Sequence, residues 1–214
     1  MAGSSYLTGQ FLISGLNLFD PNFFRTVVLM VQHSAEGAFG LVVNRPAEYT
    51  LGTILPRLAG TEALDIPVYI GGPVQQDFLF ALHSGFPAEA LGGSSEVWAP
   101  PPEDPLYQKS PGATEIVPGV VFEPSTRDLV RYLVEEWDRT APEDRPKIRL
   151  YAGYSGWGPK QLERELRERA WFTHAATEDI VFHPRPEIAW KTALSEKGEY
   201  YKFVADTGYM PSVN

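Results

Sequence analysis

Two stretches of the chain are apolar at consecutive positions rather than at alternate ones. They are Arg25–Gln32, with the sequence RTVVLMVQ, and Asp77–Ser84, with the sequence DFLFALHS. Neighbouring side chains of a strand point to opposite faces of its sheet, so a strand of this kind needs cover on both faces. The two stretches therefore predict a sheet whose central strands are buried on both sides by the rest of the fold.

Further strands are predicted on either side of these two. A turn at Glu36–Gly37 leads to a second strand, Ala38–Val43, and the short connection predicts a hairpin with Arg25–Gln32. The segment Ile66–Pro73 is predicted to be a strand that ends in a tight turn. Additional strands are expected at residues 147–154 (KIRLYAGY) and at residues 179–183 (DIVFH).

Four amphipathic helices are predicted from apolar residues at helical spacing. Two begin after Thr50 and Ser125, which suit the N-cap position, and two begin near Pro159 and Pro186, since proline fits the first helical turn. The first helix is marked by Leu51, Ile54, Leu55 and Leu58. Runs of strands with inserted helices predict an α+β fold. We find no internal repeat or low-complexity linker, and we expect a single domain over residues 1–214.

Residues 85–118 are rich in proline and glycine and show no sustained periodicity. One short strand is predicted within this segment, at Glu96–Trp98. Loops of this length inside a compact domain are commonly functional. Exposed aromatic residues in the 85–118 loop could contact a partner protein.

The composition excludes several classes of function. The chain has no cysteine, which excludes disulfides, Cys-ligated zinc, iron–sulfur clusters and a thiol nucleophile. It has 18 basic and 27 acidic residues, a net charge of -9, and this balance argues against a nucleic-acid-binding protein. No basic leader and no apolar run of about 20 residues is present, so we expect a cytoplasmic protein without a membrane segment.

A glycine-rich segment lies between a predicted strand and a predicted helix. It contains Gly153, Tyr154, Gly156, Trp157 and Gly158. Free N–H groups at a helix start attract anions, and glycines let a ligand approach the backbone. The spacing matches neither a dinucleotide-binding loop nor the nucleophile elbow that would make Ser155 catalytic. The alternative is a packing role, with glycines in tight turns and the two aromatic residues as core anchors.

Two other strand ends carry candidate binding residues. Asn44-Arg45 follows the strand Ala38–Val43, and an arginine there could clamp a carboxylate or phosphate. Gly71-Gly72 forms a turn that could also act as a backbone cradle. Both segments have a plainer alternative, in which the arginine pairs with an acidic neighbour and the glycines only turn the chain.

Four histidines, His33, His83, His174 and His183, show none of the spacings that metal sites use, and no metal site is predicted. His33 and His83 are each followed by a serine, but neighbours on a strand point to opposite faces, so neither pair forms a dyad. The two histidines could still meet across strands. A hydrogen-bonded structural role at a strand end is the alternative.

Four segments, taken together, closely resemble the AlgH/YqgE family of bacterial proteins. They are DPNFFRTVVLMVQHSAEGAFGLVVNRP, VYIGGPV, LHS and RLYAGYSGWGPKQLERELRERAWF, in this order, and the resemblance extends from about Leu7 to Trp190. The family implies a compact single domain of several coiled β-sheets with an SH3-like barrel element and flanking helices. Its regulatory name comes from a genetic link to alginate synthesis, and the resemblance implies no catalytic residue and no cofactor.

The sequence is compatible with three candidate functions. We favour a regulatory or binding protein for a small anion or nucleotide, with a cleft joining the Asn44-Arg45, Gly71-Gly72 and Gly153–Gly158 segments. The second is a hydrolase of a small anionic substrate, with His33 or His83 as general base. The third is a protein-interaction module without catalysis. We make no prediction of the oligomeric state from the sequence.

Overall fold

A computed structural model describes residues 6–55, 61–85, 113–124 and 126–209. Ten strands lie in this part of the chain. They are β1 (Gln10–Ser14), β2 (Val27–Ser34), β3 (Gly37–Val42), β4 (Pro46–Thr50), β5 (Pro67–Ile70), β6 (Val74–His83), β7 (Thr114–Val117), β8 (Val120–Glu123), β9 (Ile148–Trp157) and β10 (Trp171–Ala175).

Six α-helices lie in the same part of the chain. They are α1 (Leu51–Ile54), α2 (Thr126–Glu135), α3 (Gln161–Arg167), α4 (Glu178–Val181), α5 (Pro186–Ser195) and α6 (Glu199–Thr207). Short 3-10 helices occur at Glu62–Asp65, Trp137–Arg139 and Pro142–Asp144. No helix in the described ranges is long and apolar enough to cross a membrane.

Strand β9 joins two wings of one sheet, with the order β10-β1-β2-β3-β9-β6-β8-β7. Its residues 148–152 pair antiparallel with β6, and residues 150–152 also pair with β5 in parallel. Its residues 155–157 pair antiparallel with β3. Strand β4 pairs with β5 outside this path. One strand thus carries β5 and β3 in succession along the same edge, and this brings the ends of both strands together.

The core confirms that the central strands are covered on both faces. Every residue from Val27 to Val31 is at most 1% exposed. Leu29 and its alternate neighbours join a cluster that includes Phe39, Phe80 and residues of α5 and α6. Met30 belongs to a second cluster, on the other face, that includes Trp157 and residues of α3. A third cluster lies under α1 and α2.

The α+β prediction is confirmed, since the sheet curls as a half-barrel with helices packed on it. The hairpin of β2 and β3 and the positions of β5, β6, α2 and α5 agree with the sequence-based expectations. Several predictions fall outside the described residues: the strand Glu96–Trp98, most of the 85–118 loop, Leu58 of the first helix and the cap Ser125.

Three predictions in the C-terminal half are wrong. The segment 179–183 contributes to helix α4 rather than to a strand, because one helical turn buries the adjacent Ile180 and Val181 together. The glycine-rich segment is not a turn over its whole length, since β9 continues through Trp157. Helix α3 begins at Gln161 rather than at Pro159, after Lys160 adopts the left-handed conformation with φ 64°.

Candidate functional site

Two of the predicted site segments, Asn44-Arg45 and Gly153–Gly158, contact one loop, Asn17–Arg25, which we call the 17–25 loop. Asp20 organises its turn: the Oδ1 atom accepts a hydrogen bond from Asn22 N over 2.7 Å. The Asp20 carbonyl accepts from the N–H groups of Phe23 and Phe24. Arg25 ends the loop with φ 52°, a left-handed conformation that costs a residue with a Cβ roughly 1–2 kcal/mol. The rest of the structure must therefore hold this backbone in place.

Arg45 and Asn44, two predicted site residues, supply that support. Arg45 Nη1 donates to the carbonyls of Pro21 over 2.9 Å and of Asn22 over 2.8 Å. Asn44 accepts from Val27 N over 2.8 Å through Oδ1 and donates to the Arg25 carbonyl over 3.0 Å through Nδ2. Burial lowers the pKa of Arg45, and the nearby Asp20 carboxylate partly offsets this effect. An anion at Arg45 would have to compete with these backbone carbonyls.

The loop is anchored on its inner side by Phe23. Its ring stacks on Trp157, with centroids 6.3 Å apart, and meets Trp171 edge to face at 5.4 Å. Both indole N–H groups donate to Glu165 Oε2 over 2.9 Å, and Gln161 Nε2 donates to Glu165 Oε1. Trp157 is thus a core anchor, which is the packing role considered for it from the sequence.

The outer side of the same loop carries two exposed phenylalanines. Phe19 is 74% exposed and Phe24 is 45% exposed. The Arg25 guanidinium lies over the Phe24 ring at 5.3 Å and over the Trp190 ring at 5.5 Å. Phenylalanine and arginine are both enriched in protein–protein interfaces. The loop therefore presents a preformed surface with two exposed aromatic rings, the positive charge of Arg25 beside Phe24, and the negative charge of the exposed Asp20.

The segment that follows β5 crosses close over β9, and glycines occupy the point of contact: Gly71 and Gly72 after β5, and Gly153 in β9. A Cβ on Gly71 would lie 2.3 Å from the Gly153 carbonyl oxygen, and one on Gly72 would lie 2.2 Å from the Tyr154 carbonyl oxygen. Gly71 N donates to the Ala152 carbonyl over 2.9 Å. We call this contact the glycine crossing. The structure leaves no room for any side chain at these positions.

The three strand ends predicted to form one cleft do lie side by side. Ile70 N donates to the Arg45 carbonyl, and Val42 N donates to the Gly71 carbonyl, both over 2.8 Å. Ser155 is fully buried and donates from Oγ to the same Gly71 carbonyl over 3.1 Å, so its hydroxyl is not presented to a substrate. Backbone hydrogen bonds between the three segments occupy the place where their strand ends meet. A ligand site formed by these segments stays a prediction.

The other residues of the glycine-rich segment also have structural contacts. Gly156 pairs with Phe39 in the β3–β9 ladder, and Tyr154 packs on Phe39 with ring centroids 4.7 Å apart. Gly158 N donates to Gln161 Oε1 over 3.1 Å. The first N–H beyond β9, one of those that could have met an anion, is therefore bound by a side chain of α3.

His33 and His83 lie at opposite ends of β9, and the structure does not bring them together. His33 pairs with Ala38, which pairs with Trp157, whereas His83 pairs with Ile148. His33 Nδ1 accepts from Leu7 N over 3.1 Å, and its Nε2 lies 3.4 Å from Glu163 Oε1. Burial lowers the pKa of His83 to about 4, and its Nδ1 accepts from Gly85 N.

Metal binding finds no support in the described residues. No group of three or more histidine, aspartate and glutamate side chains there could hold a metal ion. His174 lies 3.5 Å from Glu196, and His183 Nδ1 accepts from Arg185 N. Each histidine thus has its own local contact.

The sequence analysis did not identify Arg149, a buried cation in β9. Its Nη1 donates to the Val43 carbonyl over 2.8 Å, its Nη2 donates to the His183 carbonyl, and its guanidinium lies 4.5 Å from the Tyr69 ring centroid. Burial raises the pKa of Tyr151, and the positive charge of Arg149 partly offsets this. The one feature of the sequence that could have pointed to Arg149 is a single arginine inside an apolar strand. Its hydrogen bonds connect β9 to the end of β3 and to the segment after α4.

Comparison with known proteins identifies relatives over almost the whole chain. The AlgH-like family model (DUF179) matches residues 11–202. A UPF0301 protein of Chlorobium limicola is 34% identical over 206 residues, which are 96% of this chain and 95% of the relative. A UPF0301 protein of Thioalkalivibrio sulfidiphilus is 37% identical over 202 residues, covering 92% and 93% of the two chains.

Two solved structures have a similar fold. The solution structure of the AlgH protein from Pseudomonas aeruginosa matches with a TM-score of 0.66 and 29% identity, covering 100% of this chain and 99% of that one. A crystal structure of a Corynebacterium diphtheriae protein matches with a TM-score of 0.64 and 19% identity over 96% and 94%, which indicates the fold alone. The resemblance found in the sequence is confirmed, and the chain belongs to the AlgH-like family.

Proposed function

We propose that the protein is a binding protein without catalysis, and that it contacts a protein partner through the 17–25 loop. The observation that supports this most directly is that Phe19 and Phe24 are exposed on a backbone held by Asn44 and Arg45. Ordering a loop on binding costs free energy, and a loop that is already ordered avoids this cost. The hydrogen bonds of Asn44 and Arg45 are therefore useful for recognition as well as for folding.

The charge next to Phe24 indicates the kind of partner. Arg25 is exposed, and its guanidinium carries a positive charge. It lies against Phe24, so an apolar contact and a positive charge are presented together. A partner surface with an apolar pocket and acidic residues at its rim complements this arrangement.

A protein of this kind acts as a regulator when its binding changes the activity of the partner, and we include that regulatory role in the proposal. We also include the cytoplasmic location expected from the sequence. A small anion at Arg45 is a weaker proposal, because the guanidinium already donates to Pro21 and Asn22. A hydrolase with His33 or His83 as general base is weaker too, because both side chains are buried and each Nδ1 atom already accepts a backbone hydrogen bond, from Leu7 N and Gly85 N respectively.

Site-specific photo-crosslinking in the cells that make the protein tests the proposal. Phe19 is replaced with p-benzoylphenylalanine, and the crosslinked protein is identified by mass spectrometry. Tyr209, which is 61% exposed and lies after α6, is the matched control position. We expect a discrete crosslinked partner from position 19 that is absent from position 209.

The purified partner then provides a quantitative test. We expect the double substitution Phe19→Ala/Phe24→Ala to weaken binding by at least about tenfold, or roughly 1.4 kcal/mol. The matched double substitution Tyr200→Ala/Phe203→Ala removes two other exposed aromatic residues and should leave the affinity unchanged. The same crosslinked proteins from positions 19 and 209, or no product from position 19, would contradict the proposal.

A further inference from the structure

A groove of about 290 Å³ lies beside the glycine crossing, between α1, β6 and β9. Its apolar lining comes from Ile54, Leu79 and Ala152, and its polar lining comes from Thr53, Gln76 and Asp77. The volume is close to the lower limit of small-molecule sites. No residue of the 17–25 loop lines the groove. It is therefore a separate candidate from the partner surface proposed above.

The polar lining of the groove comes from an irregular part of β6. Val74 pairs with Tyr154 and Leu79 pairs with Ala152, so residues 75–78 of β6 stand opposite the single residue Gly153 of β9. Bulges redirect side chains and are over-represented beside binding sites. This bulge directs Gln76 and Asp77 to the groove, and Gln76 Nε2 is held by the Gly72 carbonyl over 3.2 Å.

The bulge contains two energetically unfavourable features at Gln75 that its own contacts do not offset. Gln75 adopts φ 49°, a left-handed conformation in a residue with a Cβ. Its Oε1 atom is buried and accepts no hydrogen bond within the described part of the protein. Backbone strain and unsatisfied buried polar atoms concentrate at ligand sites, where they maintain a geometry that folding alone does not favour. Gln75 itself does not line the groove, but it directly precedes Gln76 and Asp77, so the strained backbone is the part of β6 that presents these two lining residues.

We propose that the groove binds a small organic cation, namely a compound with a ring-sized apolar body and one protonated amine. Asp77 is the charged residue among those that line the groove, and an ionised carboxylate can only accept hydrogen bonds. An ammonium group donates hydrogen bonds and is attracted by the charge of Asp77, whereas an anion is repelled. The apolar body lies against Ile54, Leu79 and Ala152. The net charge of -9 further favours a cation.

Three probes with the same phenyl body test this proposal: phenethylamine, 2-phenylethanol and 3-phenylpropanoate, which are cationic, neutral and anionic at pH 7. Each is titrated into the full chain, and binding is followed through the backbone amide signals in two-dimensional NMR spectra. We expect phenethylamine to shift the amides of Thr53, Gln76 and Asp77 saturably, with a Kd on the order of 1 mM. The alcohol should bind at least about tenfold more weakly, and the carboxylate should not bind.

Asp77→Asn keeps the size of the side chain and removes its charge. We expect it to weaken phenethylamine binding by about tenfold, while the spectrum itself reports that the variant is folded. Asp144→Asn, an exposed aspartate outside the groove, is the matched control and should bind like the unchanged chain. Equal binding of the three probes, equal binding by Asp77→Asn, or no saturable shift with phenethylamine would each overturn the proposal.

Discussion

Trp157 and Trp171 donate their indole N–H groups to one and the same oxygen of Glu165, and their rings meet edge to face with centroids 6.0 Å apart. The carboxylate thereby fixes β9, α3 and β10 relative to one another. Because Phe23 packs on both indoles, this cluster also fixes the inner side of the 17–25 loop. A single charged side chain thus links the end of the central strand to the proposed partner surface.

Glu165→Gln tests this linkage. The amide has only one oxygen to accept hydrogen bonds, so at least one of the three donors on Glu165 loses its partner. We expect the free energy of unfolding to fall by about 2 kcal/mol, measured by denaturant titration with tryptophan fluorescence. Glu168→Gln, at an exposed position of the same segment, should change it by less than about 0.5 kcal/mol. Equal effects of the two substitutions would contradict the linkage.

Asn44→Ala tests the support of the loop. The substitution leaves Val27 N and the Arg25 carbonyl without their side-chain partner. We expect a loss of about 2 kcal/mol in unfolding free energy. Amide hydrogen exchange should become faster at Phe23, Phe24 and Val27. Asn17→Ala, an exposed asparagine at the start of the loop, is the control that should leave both measurements unchanged. Unaltered exchange in Asn44→Ala would show that the loop is held by other contacts.

Gly153→Ala and Gly208→Ala form a matched pair of substitutions. The two residues have nearly the same φ, 69° and 66°, and alanine is strained to a similar extent at both. A Cβ on Gly153 would lie 2.6 Å from the Val74 carbonyl oxygen, whereas a Cβ on Gly208 would meet no atom within 4 Å. We expect losses of at least about 3 kcal/mol at Gly153 and about 1 kcal/mol at Gly208. Similar losses by thermal or denaturant unfolding would mean that the glycine crossing relaxes easily.

His83 makes stability depend on pH in the acid range. Burial lowers the pKa of His83 from 6.5 to about 4, so between these values the unfolded chain binds the proton more tightly. This contribution to stability is fully present above pH 6.5 and is lost as the pH falls to 4. The largest possible loss is about 3 kcal/mol. We expect His83→Gln to flatten this part of the pH profile of unfolding. A profile as steep as that of the unchanged chain would assign the dependence to other groups.

Local patterns were sufficient to predict β2, β3, β5, β6, β9 and the helices α2 and α5, whereas β4, β7, β8, β10 and α6 were not predicted. The apolar run Val27–Val31 could only be a doubly covered strand, and Pro186 marked the start of α5 correctly. The same patterns failed where tertiary contacts determine the secondary structure. The segment 179–183 has strand-like composition, yet the core takes Ile180 and Val181 from one helical turn. Periodicity carried no information on which contacts that segment would make.

Asn44, Arg45 and Trp157 were predicted as site residues without their roles, and Phe19 and Phe24 of the proposed partner surface were not predicted. Arg45 was recognised as a cation at a strand end, but its acceptors are carbonyls 21 to 24 positions earlier in the chain. Glu165 belongs to α3, and its two indole donors come from β9 and β10. Long-range hydrogen bonds of this kind leave no local pattern in a sequence. The groove at Asp77 was not predicted, because it depends on an irregular strand pairing.

The position of β9 in the chain also constrains biogenesis. Its neighbours β3, β5 and β6 are all synthesised first, and each has one edge that stays unpaired until residues 148–157 are made. A nascent chain that has not yet reached this segment exposes unpaired edges of three apolar strands, which is the condition that promotes aggregation. Completion of the sheet is therefore a late event in synthesis, because it depends on a strand that lies in the last third of the polypeptide.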